Sequence, residues 1–146
     1  MEKKNRWQRE KQKRILQDYR SFLEKIPADD AGRLFLFGEQ LYLMPEHMPA
    51  TRRLHVLRPG LHLGTVKKNR LEPAHALALA ISAQEACHSW NLSVDEARAY
   101  LAGQTFPAEG EKGWYLITVD GYSLGWGKLA GSVMKNHYPK GLRKLL

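Results

Sequence analysis

The chain has 146 residues, a hydrophobic content of 43% and a formal net charge of +8, with a pI near 9.7. These values are typical of one globular domain or two small ones, and the positive charge favours an acidic partner such as nucleic acid. The single cysteine, Cys87, excludes an internal disulfide framework and a zinc site built from several cysteines. No apolar run approaches the roughly 20 residues that a membrane span needs, and no apolar segment of signal-peptide type stands at the N-terminus. We therefore expect a cytoplasmic protein without membrane partners.

The positive charge is concentrated in three blocks. Residues 1–25 carry nine Lys and Arg against four acids, residues 52–70 carry six against none, and residues 121–146 carry five against none. Residues 71–120, in contrast, hold seven acids and only two basic side chains. Segregation of this kind indicates a basic face for binding a polyanion rather than general solubility.

The first block is predicted to form one amphipathic helix over residues 1–25, which Pro27 ends. Apolar side chains recur there at a spacing of three to four residues, and Lys and Arg fill the other face. Two interpretations of the basic face stay open: a solvated face of a docking helix, or a surface that touches phosphates. The apolar side chains are Trp7, Ile15, Tyr19, Phe22, Leu23 and Ile26.

Short β-prone runs come next. Arg33–Phe37 and Gln40–Leu43 predict a small hairpin. Leu54–Arg58 and Leu61–Lys67 predict a second strand pair, which turns at Pro59-Gly60.

Two helices are predicted in the middle of the chain. Pro73 is expected to open the first, because proline is favoured in the first turn, and the apolar run Ala74–Ala80 predicts that this helix is largely buried. Ser93 and Glu96 have the spacing of a capping box and predict the start of the second helix, which Gly103 ends.

The last part of the chain is predicted to be β-rich. Trp114–Val119 predicts a strand, Asp120-Gly121 a two-residue hairpin turn, and Tyr122–Lys128 the returning strand. Val133–Lys135 predicts a last short strand before a tail that contains proline.

The pattern G-x-x-L-G-x-x-K occurs twice, from Gly60 and again from Gly121. One interpretation is a pair of similar β-hairpins, each with its Leu inward and its Lys at the end of the strand. The other is coincidence, since glycine and leucine are common in hairpins.

The residues indicate binding rather than catalysis. The sequence has no phosphate-binding loop, no glycine-rich turn of dinucleotide type and no nucleophile elbow around a serine. Cys87 and His88 are adjacent but have no third metal ligand at a usable spacing. Lysine and arginine can instead contact RNA phosphates, and aromatic rings can stack on bases. Trp126 has two interpretations, a stacking surface or a core aromatic of a small barrel.

Several strings of the sequence resemble a known family. They are LRPGLHLGTVKKNRLEPAHALAL at Leu57–Leu79, GYSLGWGKLAGSVMKNHYPKGLR at Gly121–Arg143, and GEQLYLMP at Gly38–Pro45. Over residues 30–146 the chain resembles the C-terminal region of RsmF-type ribosomal RNA cytosine-5 methyltransferases, of the broader Sun/Nop family.

The resemblance implies an α+β protein of two small mixed modules behind an N-terminal helix. Residues 1–26 would match the linker helix, residues 27–92 the first C-terminal module, and residues 93–146 an RNA-binding module similar to the PUA fold, a β-barrel with a flanking helix. In that family a separate domain binds S-adenosylmethionine and carries the catalytic cysteines. Cys87 does not stand in such a motif, so no catalytic residue and no cofactor is assigned to this chain.

The implied role is to bind ribosomal RNA and present it to a methyltransferase domain of the same polypeptide. Two alternatives stay open: a protein-docking module, and a free-standing RNA-binding factor. The RNA-binding role carries over, on charge and ring chemistry, to Lys67, Lys68, Arg70, Trp126, Lys128, Lys135, Asn136, Tyr138, Lys140 and Arg143.

Overall fold

A computed structural model describes residues 10, 13–15, 17–19, 34–44, 60–68 and 70–144, which contain two β-sheets and several short helical segments. The chain divides into two compact units, and the division falls between Leu77 and Ala78. The predicted α+β class is confirmed, and the five strands of the second sheet curl into a half-barrel.

The first sheet has four antiparallel strands in the order β1-β2-β3-β4. The predicted hairpin of β1 and β2 is confirmed, with Gly38 in its turn at φ +61°. Residues 54–58, the predicted partner of β3, lie outside the described residues, and β3 pairs with β2 on one side and with β4 on the other. The strands are β1 Leu34–Phe37, β2 Gln40–Leu43, β3 Leu61–Lys67 and β4 Arg70–Pro73.

The prediction that Pro73 opens a helix is wrong. Pro73 is the last residue of β4 and lies opposite Gly64, and the helix α1, His75–Ala80, begins two residues later. Proline is accepted at the end of an edge strand because no ladder hydrogen bond needs its missing N–H. The expected burial of the helix holds in part, since Leu77 and Ala78 are buried whereas Leu79 is 59% exposed.

The N-terminal residues that are described, 10, 13–15 and 17–19, are helical, in agreement with the predicted helix. Ile15 and Tyr19 are buried, as their spacing predicted. Asp18 accepts a hydrogen bond from the backbone N–H of Leu71, with Oδ2 at 2.9 Å from the nitrogen. This contact ties the helix to β4 in the first unit.

The second sheet contains five strands in the order β5-β7-β8-β9-β6. β5 pairs with β7 in parallel, and the other neighbours are antiparallel. The parallel pairing means that Ser89–Leu92, which precedes the predicted module boundary at residue 93, belongs to the second sheet. The strands are β5 Ser89–Leu92, β6 Phe106–Pro107, β7 Gly113–Val119, β8 Tyr122–Ala130 and β9 Val133–Asn136.

Local signals account for two features of this unit. The helix α2, Val94–Leu101, begins with the predicted capping box: the Ser93 hydroxyl accepts from the N–H of Glu96, and the Glu96 carboxylate accepts from the N–H of Ser93. The β7–β8 turn has φ +48° at Asp120 and +81° at Gly121, the positive values that an Asp-Gly hairpin turn requires.

The core of the second unit lies between α2 and one side of its sheet. Leu92, Tyr100, Ile117, Leu129 and Met134 are all at most 3% exposed. The Tyr100 hydroxyl donates to the carbonyl of Trp126 at 2.8 Å, so its polar end is satisfied inside the core.

The repeated G-x-x-L-G-x-x-K pattern falls on β3 and β8. Leu63 is fully buried and Leu124 packs on the second core, so both leucines point inward. Lys67 ends β3, but Lys128 lies inside β8, which continues to Ala130. The predicted position of the lysine at a strand end therefore holds only for Lys67.

A candidate nucleic-acid interface

A row of three side chains crosses β7, β8 and β9. Lys128 is paired with Trp114 on one side and with Lys135 on the other. Residues directly opposite each other on neighbouring strands point to the same face of the sheet. The Nζ of Lys128 lies 5.1 Å from the centroid of the Trp114 ring, a cation–π distance. One face of the sheet thus presents two cations beside an indole.

His137 completes this group, which we call the Trp114 cluster (Trp114, Lys128, Lys135 and His137). Its ring meets the Trp114 ring edge-on, with centroids 4.5 Å apart and planes at 71°. Its backbone N–H donates to the carbonyl of Trp126 at 3.2 Å, which holds the residue after β9 against β8. Lys135 is exposed, and the other three members are partly exposed.

Sequence reasoning missed Trp114 as a member of the site. A regular hairpin from Asp120-Gly121 would place Trp114 opposite Gly127. A bulge between Ile117 and Thr118 shifts the pairing by one residue and brings Trp114 opposite Lys128. Glycine inside a strand can mark a bulge, and Gly125 follows the extra residue Leu124 on β8, but a glycine alone does not fix the register.

Trp126 does not belong to the exposed surface. It is 2% exposed and lies opposite the buried Leu116. Trp126 therefore cannot serve as an exposed base-stacking ring. The other interpretation, a buried core aromatic, matches its position. The physical reason is its position in the middle of a sheet strand, where a large apolar ring gains most from burial.

Asn136 has a structural role. Its side-chain Nδ2 donates to the carbonyls of Tyr100 and Gln104, both at 2.8 Å, and its Oδ1 accepts from the N–H of Tyr138 at 2.9 Å. Both ends of the amide are thereby used, so Asn136 stabilises the end of α2 and the tail rather than offering a free group to RNA.

Arg143 is also largely committed to the fold. Its Nε donates to the carbonyl of Tyr138 at 3.2 Å. The backbone N–H of Lys144 donates to the carbonyl of Leu101 at 2.9 Å. The tail, including a 3-10 turn at Lys140–Leu142, is thus fastened to the C-terminal end of α2.

Tyr138 is partly buried and packs on the core of the second unit, with its ring centroid 5.6 Å from that of Tyr100. Its backbone carbonyl holds Arg143. Lys140, in contrast, is exposed. Of the predicted residues in this unit, Lys128, Lys135 and Lys140 thus keep their cationic ends available for a polyanion.

Three further predicted residues lie at the β3–β4 turn of the first unit. Lys68 has φ +48°, and Lys67 is paired with Arg70 across the hairpin. The Lys67 ammonium lies 3.2 Å from the Glu72 carboxylate, but both are well exposed, so this ion pair contributes little to stability. All three basic side chains are exposed.

Metal and thiol chemistry find no support among the described residues. No group of three or more His, Cys, Asp and Glu side chains there could hold a metal ion, and Cys87 is exposed. His88 stacks on Tyr115 with centroids 4.9 Å apart, and its Nε2 lies 3.6 Å from Glu111 Oε2. None of the helices in the described ranges combines the length and apolar character needed to cross a membrane.

Comparison with known proteins agrees with this architecture. The curled five-stranded sheet with its flanking helix defines a PUA-like module, and residues 87–144 match the family model described as the methyltransferase RsmF PUA domain. Residues 21–81 match the model described as the RsmF rRNA methyltransferase first C-terminal domain. The chain therefore belongs to the RsmF family, in the part that carries these two C-terminal domains.

Individual relatives support the same assignment. The chain is 26% identical over 121 residues to the ribosomal RNA small subunit methyltransferase F of Vibrio cholerae serotype O1 (strain M66-2), which covers 81% of this chain and 25% of the relative. It is 30% identical over 120 residues to the protein of the same name from Klebsiella pneumoniae (strain 342), covering 77% of this chain and 24% of the relative. The chain thus spans about a quarter of the length of these curated relatives.

Proposed function

We propose that this chain binds ribosomal RNA through the basic surface of its second unit and positions it for a methyltransferase domain of the same polypeptide. The observation that carries the proposal is the Trp114 cluster, in which an indole and two lysines lie side by side on one face of the sheet. The relatives' printed name, ribosomal RNA small subunit methyltransferase F, supports ribosomal RNA as the partner.

Charge supplies the main attraction in this proposal. Residues 121–146 contain five Lys and Arg and no acid, so a phosphate backbone approaching this surface meets no repulsion from the segment itself. If four to six cations reach phosphates of single-stranded RNA, the logarithm of the affinity falls against the logarithm of salt concentration with a slope of roughly −3 to −4. Binding of this kind fixes the position of the RNA but carries little sequence information.

The chain's own role in the proposal is to hold RNA, and methyl transfer belongs to another part of the protein. The matched family models describe the first C-terminal domain of the RsmF rRNA methyltransferase and the PUA domain of the methyltransferase RsmF. The methyl donor, S-adenosylmethionine, is accordingly assigned to the whole enzyme and to no residue of this chain.

The Lys135→Gln, Lys140→Gln double variant tests the proposal. Both side chains are exposed, so the fold is preserved while two positive charges are removed. We expect the affinity for a labelled fragment of small-subunit ribosomal RNA, measured by fluorescence anisotropy at low ionic strength, to fall about tenfold, or about 1.4 kcal/mol. Arg143 is left intact because it fastens the tail.

The matched control is the Arg98→Gln, Lys112→Gln double variant, which removes the same charge from exposed positions on α2 and on the loop before β7. We expect it to bind nearly as well as the unmodified chain. Equal loss of affinity in the two double variants would mean that only the net charge of the chain matters. Unchanged affinity in the Lys135→Gln, Lys140→Gln variant would favour a protein-docking module instead.

The β3–β4 turn is proposed as a further RNA contact. Lys68→Gln combined with Arg70→Gln tests this in the same assay, with Lys67 left in place because it pairs with Glu72. A loss of affinity would include the turn in the interface, and no loss would restrict the interface to the second unit.

A further inference from the structure

The second unit has a cavity of about 220 Å³ at the end of its sheet where Gly113 lies opposite Leu129. The cavity is separate from the Trp114 cluster, because Leu129 and Met134 point to the other face of β8 and β9 from Lys128 and Lys135. Its lining includes Trp90, Tyr115, Leu129 and Met134, with Ser89 and Glu109 as the polar members.

Each of the two aromatic rings in the lining, Trp90 and Tyr115, is fixed by contact with a second ring. Trp90 makes an edge-on contact with Phe106, with centroids 5.9 Å apart and planes at 82°. Tyr115 stacks on His88, and its hydroxyl donates to the carbonyl of Glu111 at 2.6 Å. Rings fixed in this way are ready to take a flat ligand without loss of their own rotational freedom.

The volume and the walls fit one nucleobase. A purine or pyrimidine is flat, has a π-face on each side and gains stability from contact with aromatic rings. A phosphate does not fit, because the lining includes the carboxylate of Glu109, and two negative charges repel each other.

The carboxylate also selects among the bases. Glu109 is exposed and has no hydrogen-bond or ion-pair partner among the described residues, so both of its oxygens are available as acceptors. Guanine presents two adjacent N–H donors, N1–H and N2–H, whereas adenine and cytosine present one amino group and uracil one imide N–H. A pair of parallel hydrogen bonds to a carboxylate is therefore specific to guanine.

We propose that this cavity binds a single unpaired guanine of the RNA, with the ring between Trp90 and Tyr115 and the N1–H and N2–H edge on the Glu109 carboxylate. The inference rests on the proposed RNA-binding function, and it adds a base-specific contact to the phosphate contacts of the Trp114 cluster.

Five pentanucleotides test the proposal: UUGUU, and the same strand with inosine, adenosine, cytidine or uridine at the centre. Inosine keeps N1–H and O6 but lacks the 2-amino group, so it removes one of the two proposed hydrogen bonds. We expect the 146-residue chain to bind UUGUU tightest in a fluorescence anisotropy titration. Inosine should weaken binding about tenfold, as for loss of a hydrogen bond to a charged group.

Glu109→Gln should abolish the preference for guanine over inosine while leaving the affinity for UUUUU nearly unchanged. The control is Asp120→Asn, which removes the same charge at the far end of the β7–β8 hairpin, and asparagine tolerates the positive φ there. This control should keep the guanine preference.

The outcomes separate the two proposals. Equal affinity for all five strands, with binding that still depends on Lys135 and Lys140, would overturn the guanine site and leave RNA binding in place. A guanine preference that survives Glu109→Gln would also overturn it. No binding of any strand or of the ribosomal RNA fragment would overturn both.

Discussion

Arg143 lies directly across Gly103. A β-carbon at position 103 would stand 2.7 Å from Cδ of Arg143, and the φ of Gly103 is +95°, a value that residues with a side chain rarely adopt. Gly103→Ala therefore combines backbone strain with displacement of the arginine that holds the tail. We expect the free energy of unfolding to fall by about 2–3 kcal/mol, measured by urea denaturation.

Gly131→Ala is the matched control, because Gly131 also has a positive φ, +62°, but nothing lies within 4 Å of the position of its β-carbon. It should cost about 1 kcal/mol from backbone strain alone. Equal losses for the two variants would mean that the contact with Arg143 contributes nothing.

Tyr100 makes the stability of the second unit sensitive to alkaline pH. Burial raises the pKa of the Tyr100 phenol well above its ordinary value near 10, the neighbouring Tyr138 raises it further, and Arg143 lowers it in part. In the unfolded chain the phenol loses its proton from about pH 10 upward, whereas in the folded chain it stays protonated. The contribution of the buried, protonated Tyr100 to the free energy of unfolding is fully present below pH 10. It is lost as the pH rises from there towards the pKa of Tyr100 in the folded chain.

Tyr100→Phe removes this dependence. The variant also loses the hydrogen bond to the Trp126 carbonyl, but that carbonyl keeps the N–H of His137 as a donor, so the cost at neutral pH should be about 1 kcal/mol. Urea denaturation of both proteins at pH 7, 9, 10 and 11 checks the prediction. The difference in stability should shrink above pH 10, and a constant difference would contradict it.

The capping box of α2 predicts a clear effect at Ser93. Its hydroxyl accepts from the N–H of Glu96 at 3.2 Å, so Ser93→Ala leaves that donor without a partner in the helix. We expect a loss of about 1 kcal/mol in urea denaturation. Ser93→Asp should keep the stability, because aspartate caps equally well, and an equal loss in both variants would assign the effect to something other than capping.

The cation–π contact predicts that Lys128 contributes to the fold as well as to RNA binding. Lys128→Met keeps the length of the side chain but removes its charge from the Trp114 ring, and should lower the free energy of unfolding by about 0.5–1 kcal/mol. Lys128→Arg should retain most of that stability, since guanidinium also binds to an indole face. Loss of stability in the arginine variant equal to that in the methionine variant would contradict the cation–π origin.

Salt dependence provides a measure of phosphate contacts that is independent of absolute affinity. Removing Lys135 and Lys140 together should lower the magnitude of the log–log salt slope by about 1.4 for single-stranded RNA, at about 0.7 per contact. The Arg98→Gln, Lys112→Gln control should keep the slope of the unmodified chain. An unchanged slope in the first variant would mean that neither lysine touches phosphate.

Neighbouring residues in the sequence correctly predicted the caps and turns that depend only on those residues. Ser93 and Glu96 form a capping box from side chains three residues apart, and Asp120-Gly121 forms a turn from two residues that accept positive φ. The prediction that Pro73 opens a helix was wrong because proline suits both the first turn of a helix and the end of an edge strand. Its pairing with Gly64, nine residues earlier, decides between the two.

The charge of the candidate site and its lysines were predictable, but its aromatic members were not. Lys128, Lys135 and Lys140 follow from the basic composition of the last block, because solvated cations stay near the surface whatever the fold. Trp126 and Asn136 were placed on the RNA surface for their chemistry, but one is buried and the other bridges the carbonyls of Tyr100 and Gln104. A residue's exposure depends on distant partners that spacing along the chain does not reveal.

The sequence by itself determined the class of the protein, the basic block that faces a polyanion, and the turns and caps that depend on neighbouring residues. Only the tertiary structure decided which ring stands beside the cations. One extra residue on β8, Leu124, stands between the partners of Ile117 and Thr118 and changes the register so that Trp114, and not Gly113, lies opposite Lys128. Because side chains alternate between the faces of a strand, a shift of one residue decides whether Trp114 lies on the same face of the sheet as Lys128 or on the opposite face.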